Sequence, residues 1–283
     1  DDLIPHLQFE YGTAGAVKMV QDNGQLVTRN FLTGVIDGWE DMPGTPGYKR
    51  FFEGKQGCFH CPTQCKHLIK PATRGKVGLE GIYGGPEFDT AVALGSDCGI
   101  DDTFTVLKAS ELCNKYGLDP TSLGGTIAFT MECLEKGLIK KEDTGGLDLT
   151  FGNADALLKV IELIVYRREA GEVLAEGSFR AAQKWGKESL PFAMQSKGKE
   201  LAMHDPRAKA ALGLGYAVSP IGPDFAVIEH DSDFDGSAPQ KFIDEAGPIG
   251  IYARLPAEDL SEKKVRMLYN LQLYWSSLEV ICG

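Results

Sequence analysis

The sequence lacks any long uninterrupted apolar run and any surplus of positive charge, and both absences exclude classes of protein. One of its longest apolar stretches, from Ala156 to Tyr166, is interrupted by Lys159 and Glu162. Nothing approaches the ~18 consecutive apolar residues that indicate a membrane-spanning helix. With 29 lysines and arginines against 40 aspartates and glutamates, the formal net charge is -11, so no basic surface is expected to neutralise nucleic-acid phosphates. We expect neither a membrane protein nor a nucleic-acid-binding protein.

The sequence also lacks the features of a disulfide-stabilised secreted protein. Its seven cysteines are an odd number, no signal-like segment is visible, and a chain of 283 residues can form a hydrophobic core without cross-links. The composition, 43% hydrophobic and 24% charged, is typical of a globular protein. We therefore expect a cytoplasmic protein. Because the sequence starts at Asp1 without an initiator methionine, we also expect it to be part of a longer one.

Long segments of alternating polarity are scarce, whereas helical patterns with start and stop signals recur. The segment 102–116 opens with an acidic residue and ends at Gly117, and Asn153 can cap a segment whose apolar residues recur at helical spacing. Helices are predicted over 14–23, 102–116, 126–136, 154–170, 172–185 and 257–281. The sequence therefore predicts a mainly α fold.

Three of the seven cysteines are concentrated in one short stretch. Cys58, Cys61 and Cys65 follow a C-x2-C-x3-C spacing. Three thiolates on one tight loop can hold three corners of an iron–sulfur cluster, which takes four soft sulfur ligands. Cys282, at the far end of the sequence, is the natural candidate for the fourth ligand.

Other interpretations of this loop stay open. His60 and His67 lie close to the cysteines and leave room for a zinc site, although structural zinc sites usually combine two ligand pairs. Cys282 could instead be a small buried hydrophobe. If a cluster is present, Lys55 and Lys66 would offset part of its negative charge, which raises its reduction potential. The remaining cysteines are predicted to be packed core thiols: Cys98, Cys113 and Cys133.

Several stretches together resemble the tungsten-containing aldehyde:ferredoxin oxidoreductase family. The stretch GCFHCPTQCKH at 57–67 is similar to that family's cluster loop, and GGPEFDTAVALGSDCGIDD at 84–102 resembles its EGPEYET-type segment and the NCGID turn that follows. CNKYGLDPTSLGGTIAF at 113–129 is similar to one of two motifs that bind the paired pterins. KGKELAMHDPRAKAALGLGYAVSP at 197–220 is similar to a further family block. The order and spacing of these blocks agree over essentially the whole sequence.

The resemblance implies both a fold and a chemistry. It implies two helical domains, over residues 1–145 and 146–283, and we expect the β-rich N-terminal domain that cradles the metal–pterin to be missing from this sequence. An aldehyde substrate would be oxidised to a carboxylic acid at a tungsten or molybdenum bis-pyranopterin. Electrons would leave through a [4Fe-4S] cluster to ferredoxin or another electron-transfer protein. A homodimer is a further expectation, and the isolated C-terminal part is expected to be inactive.

The resemblance also implies binding residues, in motifs that depart from the family pattern. In NKYGLD, Asn114 stands where an aspartate is usual. The second of the two pterin motifs corresponds to SLEVIC at 277–282, where only the cysteine agrees with the family pattern. Arg207 either pairs with Asp205 or contacts a pterin phosphate in bidentate fashion. The expected cluster ligands are Cys58, Cys61, Cys65 and Cys282, and the expected pterin contacts are Asn114, Gly117, Leu118, Asp119, Arg207 and Ser277.

Two residues are candidates for proton transfer. Glu87 lies in a glycine-rich turn, where a carboxylate can be aimed at a bound substrate and its pKa raised by burial. Alternatively, Glu87 caps the helix that follows, together with Asp89. Where the family often carries a histidine near the metal, this sequence has Phe225. His230 is the candidate to replace that histidine, and the alternative is a solvated surface residue.

Three hypotheses about function follow from these patterns. The first is an oxidoreductase of the aldehyde:ferredoxin oxidoreductase type. The second is a cluster-bearing helical module that serves as an electron-transfer or scaffold fragment without turnover of its own. The third is a zinc-stabilised helical protein. Broad visible absorbance separates the first two from the third, and bound tungsten with released pterin separates the first from the second.

Overall fold

The computed structural model describes residues 3–225, 231–236 and 238–278 of the chain. The chain divides into two compact units, the first ending at Met194 and the second beginning at Gln195. This division by compactness differs from the predicted domain division between residues 145 and 146, which stays a prediction about the family's domains.

The first unit contains eight α-helices among its described residues. They are α1 (Leu3–Tyr11), α2 (Val17–Asp22), α3 (Phe88–Ala93), α4 (Thr103–Tyr116), α5 (Pro120–Glu135), α6 (Ala154–Val165), α7 (Gly171–Leu174) and α8 (Ser178–Trp185). The predicted boundaries of α4 are confirmed by its caps. Asp102 accepts a hydrogen bond from the Thr105 N–H at 3.0 Å, and Gly117 ends the helix in the left-handed conformation at φ 68°.

Other helices differ from their predicted bounds for identifiable reasons. Helix α5 starts six residues before the predicted Thr126, because Asp119 caps its first turn. The helix continues through Gly124, where an added Cβ would lie 2.5 Å from the carbonyl oxygen of Ala93. The predicted helix over 172–185 is instead two helices, α7 and α8, separated at Gly177, whose φ is 87°.

Two short hairpins lie between residues 52 and 79. Strands β1 (Phe52–Gln56) and β2 (Lys66–Ile69) pair antiparallel, as do β3 (Ala72–Arg74) and β4 (Val77–Leu79). Behind the first hairpin lies a small core of buried side chains: Tyr48, Ile69, Leu79, Phe104 and Leu107. The larger core of the unit includes Val106, Ile127, Phe129, Leu157 and Ile161.

Among its described residues, the second unit combines a short hairpin with three α-helices. Its elements are β5 (Gln195–Ser196), β6 (Lys199–Glu200), α9 (Ala210–Val218), α10 (Gln240–Ala246) and α11 (Glu262–Leu278). The last helix starts five residues after its predicted start. Buried side chains from α9 and α11 form much of the core: Leu212, Tyr216, Met267, Leu268 and Leu271.

The mainly α prediction is confirmed. In the part of the chain that the structure describes, strands form only three two-stranded sheets. None of the described helices is both long enough and apolar enough to cross a membrane.

Candidate metal centre and its acidic neighbour

The three clustered cysteines lie on the loop that joins β1 to β2. The base of this loop is closed by the pairing of Gln56 with Lys66 across the two strands. Within it, the Cys61 N–H donates to the Cys58 carbonyl at 3.0 Å, and His60 has a left-handed φ of 57°. These turns fold the stretch tightly and keep the three thiols on one short, closed loop.

The loop thiols differ from the other cysteines in exposure and in pKa. Cys58 is exposed, and Cys61 and Cys65 are half-buried. Hydrogen bonds from the backbone N–H and the hydroxyl of Thr63 lower the pKa of Cys61. Burial and then the negative charge of Glu87 raise the pKa of Cys65, whereas Lys66 acts in the opposite direction.

The other described cysteines are buried, as predicted for core thiols. Burial raises the pKa of Cys113 and of Cys133 to about 12, and it raises the pKa of Cys98 well above its ordinary value. Such thiols are poor ligands because the thiolate is the form that binds metal. The loop therefore holds the accessible thiols of the described residues.

The loop residues fit an iron–sulfur cluster by the chemistry of their donors. Among the described residues, no three Cys, His, Asp or Glu side chains lie together closely enough to hold a metal ion. Three cysteines within eight residues nevertheless provide three of the four soft ligands that a cluster takes. Cys282, the predicted fourth ligand, lies outside the described residues.

The nearby histidines fit a zinc site less well than the cysteines fit a cluster. His67 is 2% exposed, its ring stacks on Phe52 at a centroid distance of 4.2 Å, and burial lowers its pKa. The Nε2 atom of His67 lies 3.4 Å from the Phe9 carbonyl oxygen. His67 is thus packed against aromatic and backbone groups, whereas His60 is exposed beside Phe59.

The cysteine loop is joined directly to the glycine-rich turn that carries Glu87. The Gly85 N–H donates to the His67 carbonyl on β2 at 2.8 Å, and the Lys66 ammonium forms an ion pair with Glu87 Oε1. Lys66 directly follows Cys65 in the sequence. The structure therefore brings together two motifs that lie about twenty residues apart in the sequence.

Thr13 holds the second oxygen of the Glu87 carboxylate. Its hydroxyl donates to Glu87 Oε2 and accepts from the Phe88 N–H at 2.9 Å. Glu87 lies at the N-cap position of α3, but its side chain makes no capping hydrogen bond. The alternative prediction that Glu87 caps this helix is therefore wrong, because its carboxylate is bound by Thr13 and Lys66 instead.

Tyr48 forms the floor behind this turn. Its hydroxyl is buried and has no hydrogen-bond partner, and a Cβ added at Gly85 would lie 1.7 Å from that oxygen. Burial, with a contribution from the charge of Glu87, raises the pKa of Tyr48. Glycine at position 85 is thus required by the close approach of Tyr48.

The residues predicted to contact pterin in the first unit lie where α4 ends and α5 begins. Asn114 donates from Nδ2 to the Ser110 carbonyl at 3.0 Å, one helical turn earlier. Asp119 caps α5 by accepting the Thr121 N–H at 2.9 Å and the Ser122 N–H at 3.3 Å. Gly117 and Leu118 form the turn between the helices, and the role of these four residues toward a pterin stays a prediction.

The predicted residues of the second unit have local partners as well. Arg207 makes a bidentate ion pair with Asp205, with Nη2–Oδ2 at 2.6 Å and Nε–Oδ1 at 2.9 Å. The Ser277 hydroxyl donates to the Leu273 carbonyl at 2.8 Å. The roles of Arg207 and Ser277 toward a pterin stay predictions, and His230 lies outside the described residues.

A buried acidic site in the first unit had no sequence signal. Asp97 accepts the Phe31 N–H at 3.2 Å through Oδ1, while its buried Oδ2 has no hydrogen-bond partner. Residues 29–31 all have left-handed φ values between 51° and 62°. Burial, opposed by backbone hydrogen bonds and assisted by the charge of Glu132, raises the pKa of Asp97 to about 7.

The chain matches known proteins along almost its full length. A family described as aldehyde ferredoxin oxidoreductase, domains 2 and 3, matches residues 5–282. The tungsten-containing aldehyde ferredoxin oxidoreductase of Thermococcus kodakarensis is 33% identical over 264 residues, which are 93% of this chain and 40% of that protein. The corresponding protein of Pyrococcus horikoshii is 33% identical over 266 residues with the same coverage. The chain therefore spans about 40% of the length of these relatives.

Two further matches have lower sequence identity, and one of them is a solved structure with a similar fold. A Pyrococcus furiosus protein named aliphatic sulfonate oxidoreductase, WOR-like subunit, is 27% identical over 222 residues, which are 76% of this chain and 35% of that protein. The active-site complex BamBC of benzoyl coenzyme A reductase, solved with 1,5-dienoyl-CoA, matches with a TM-score of 0.55 at 17% identity. That match covers 93% of this chain and 43% of the solved one. The resemblance drawn from the sequence motifs is confirmed, and the chain belongs to the aldehyde ferredoxin oxidoreductase family of oxidoreductases, in which it corresponds to domains 2 and 3.

Proposed function

We propose that this chain is the cluster-bearing C-terminal part of an oxidoreductase that converts an aldehyde to a carboxylic acid. The reaction would take place at a tungsten bis-pyranopterin, for which the relatives' names give tungsten as the metal. The observation that carries the proposal is the direct connection between the cysteine loop and the turn of Glu87. The Gly85–His67 hydrogen bond and the Lys66–Glu87 ion pair make this connection.

The cluster would be held by Cys58, Cys61 and Cys65, with Cys282 as the proposed fourth ligand. When bound, a [4Fe-4S] cluster supplies one-electron steps at a potential set by its surroundings. Cys61 is prepared for ligation because its hydrogen bonds from Thr63 favour the thiolate. Cys58 is exposed, which suits an electron outlet that a ferredoxin or another electron-transfer protein must approach.

Glu87 would move the proton that aldehyde oxidation releases. Its two oxygens accept hydrogen bonds from Thr13 and Lys66, which fix the orientation of the carboxylate. Glu87 is therefore a positioned carboxyl group that can act in proton transfer. Because Glu87 is 38% exposed, a substrate in the space before it can reach the carboxylate.

The remaining parts of the proposal rest on the family motifs. The paired pterins would be contacted by the residues already named, and the β-rich N-terminal domain would supply the rest of their cradle. The pterin contacts are Asn114, Gly117, Leu118, Asp119, Arg207 and Ser277. We place the enzyme in the cytoplasm, and the homodimer stays part of the proposal.

The test uses the complete enzyme purified without oxygen. We expect bound tungsten, released pterin and aldehyde-dependent reduction of ferredoxin. Glu87→Gln is expected to lower kcat by at least about 10²-fold, the usual contribution of a positioned proton-transfer group, with tungsten and iron contents unchanged. The matched control is Glu80→Gln, which removes an exposed carboxylate paired with Lys115 at 3.3 Å. A colourless protein that holds only zinc, or full activity in Glu87→Gln, would contradict the proposal.

A further inference from the structure

Lys66 is placed between the residue proposed to move protons and the loop proposed to move electrons. Its backbone follows Cys65 directly, and its side chain reaches Glu87 on the turn before α3. Lys66 is half-exposed, at 51%, so it is not needed to fill the core. We therefore expect the contribution of Lys66 to come from its charge and not from packing.

The charge of Lys66 acts on the cysteine thiols as well as on Glu87. The Lys66 ammonium forms an ion pair with Glu87, and the same residue directly follows the proposed cluster ligand Cys65 in the sequence. Glu87 acts on Cys65 in the opposite sense to Lys66.

Lys55, the other lysine near the loop, has different surroundings. Its ammonium lies 3.4 Å from Glu10 and 3.2 Å from the centroid of the Phe9 ring. The side chain is thus held by residues of α1. Lys55 and Lys66 flank the same three cysteines in the sequence, but the one that is paired with Glu87 is Lys66.

We propose that the Lys66–Glu87 ion pair is a positioning element that sets the reduction potential of the cluster on the cysteine loop. This inference rests on the proposed function. Reduction adds one negative charge to a cluster, so a fixed cation nearby stabilises the reduced form and a fixed anion destabilises it. The pair also ties the cluster loop to α3 through Glu87 and Thr13, which holds the cation in place.

The charges predict the signs of the changes. Lys66→Met leaves the anion of Glu87 uncompensated. We expect the equilibrium between oxidised and reduced cluster to shift about tenfold toward the oxidised form, which is the effect of a unit charge several ångströms away at a protein surface. A tenfold shift corresponds to a one-electron reduction potential that is lower by about 59 mV. Glu87→Gln is expected to raise the potential, and the double variant is expected to lie between the two single variants. Lys66→Arg keeps the charge and should stay near the parent value.

The test is a redox titration of the complete, anaerobically purified protein, followed by electron paramagnetic resonance of the reduced cluster. Lys55→Met is the matched control, and we expect it to change the potential by less than half as much as Lys66→Met. Equal potentials in the parent, Lys66→Met and Glu87→Gln proteins would overturn this inference while leaving the cluster intact. A parent protein with no iron or sulfide would overturn the proposed function and this inference with it.

Discussion

The buried ion pair of the second unit offers a prediction that does not depend on any cofactor. Asp231 is fully buried and Lys264 is 2% exposed, and their charged atoms lie 2.6 Å apart. The Asp231 carboxylate also accepts the Ala211 and Leu212 N–H groups at 3.1 and 3.2 Å, in the first turn of α9. Lys264 donates to the Pro256 carbonyl at 2.6 Å. The pair therefore joins α9, α11 and the loop before α11.

Removing one partner of the Asp231–Lys264 pair is expected to lower the free energy of unfolding more than removing both charges. Lys264→Met leaves a buried carboxylate without its cation, and we expect the free energy of unfolding of this unit to fall by about 3–5 kcal/mol. The double variant Asp231→Asn/Lys264→Met keeps an amide oxygen to accept from the α9 N–H groups. Because it leaves no buried charge, its loss should be smaller than that of Lys264→Met.

The assay must report on the second unit alone, because a chain with two compact units need not unfold in one step. Amide hydrogen exchange of peptides from α9 and α11, measured against urea concentration, gives that local stability. Lys241→Met is the control, since the Lys241–Glu245 pair is 64% and 63% exposed with its atoms 3.8 Å apart. We expect it to cost less than about 0.5 kcal/mol. Equal losses of stability in Lys264→Met and Lys241→Met would show that the buried pair contributes no more than an exposed one.

Three further predictions concern buried residues of the first unit. The carboxyl pKa of Asp97 is raised from 3.8 to about 7, so the folded state binds the proton more tightly than the unfolded state does. The free energy of unfolding should therefore decrease by about 4 kcal/mol as pH rises from 4 to above 7. Asp97→Asn should remove most of this dependence in urea unfolding at pH 5 and pH 8, and parallel profiles for the two proteins would contradict it. Tyr48→Phe deletes a buried hydroxyl that has no partner and should raise stability by about 1 kcal/mol. Gly85→Ala should lower the free energy of unfolding by about 1–3 kcal/mol, because the added methyl group overpacks against Tyr48. The loss should be smaller in the Tyr48→Phe protein. Equal losses in the two backgrounds, measured by thermal unfolding, would contradict the contact between residues 85 and 48.

Features governed by neighbouring residues could be predicted from the sequence. Asp102 and Gly117 are local signals, and α4 begins and ends where they indicate. The three loop cysteines are recognisable because their spacing alone places them on one turn. The early start of α5 was missed because Gly124 and Gly125 look like helix breakers, whereas in the folded chain Gly124 allows the backbone of Ala93 to approach.

Features that depend on distant residues could not be predicted. The partners of Glu87 are Lys66 and Thr13, which are 21 and 74 positions away, and no local pattern indicates either contact. Thr13 directly precedes the helix predicted over 14–23, but in the structure its hydroxyl accepts the Phe88 N–H at the start of α3. Lys264 looks like one of several lysines on a solvated helix face, and only the fold places it against Asp231.

The iron and sulfide content of the complete protein, compared between cysteine variants, tests directly whether the cysteine loop holds a cluster. We expect about four iron and four sulfide per chain in the parent, with the electron paramagnetic resonance of a reduced four-iron cluster. Cys133→Ala, which removes a buried thiol, should retain this cluster, and Cys61→Ser should lose it. A full four-iron cluster in Cys61→Ser, or a parent protein that contains zinc and no iron, would show that these cysteines do not hold a four-iron cluster.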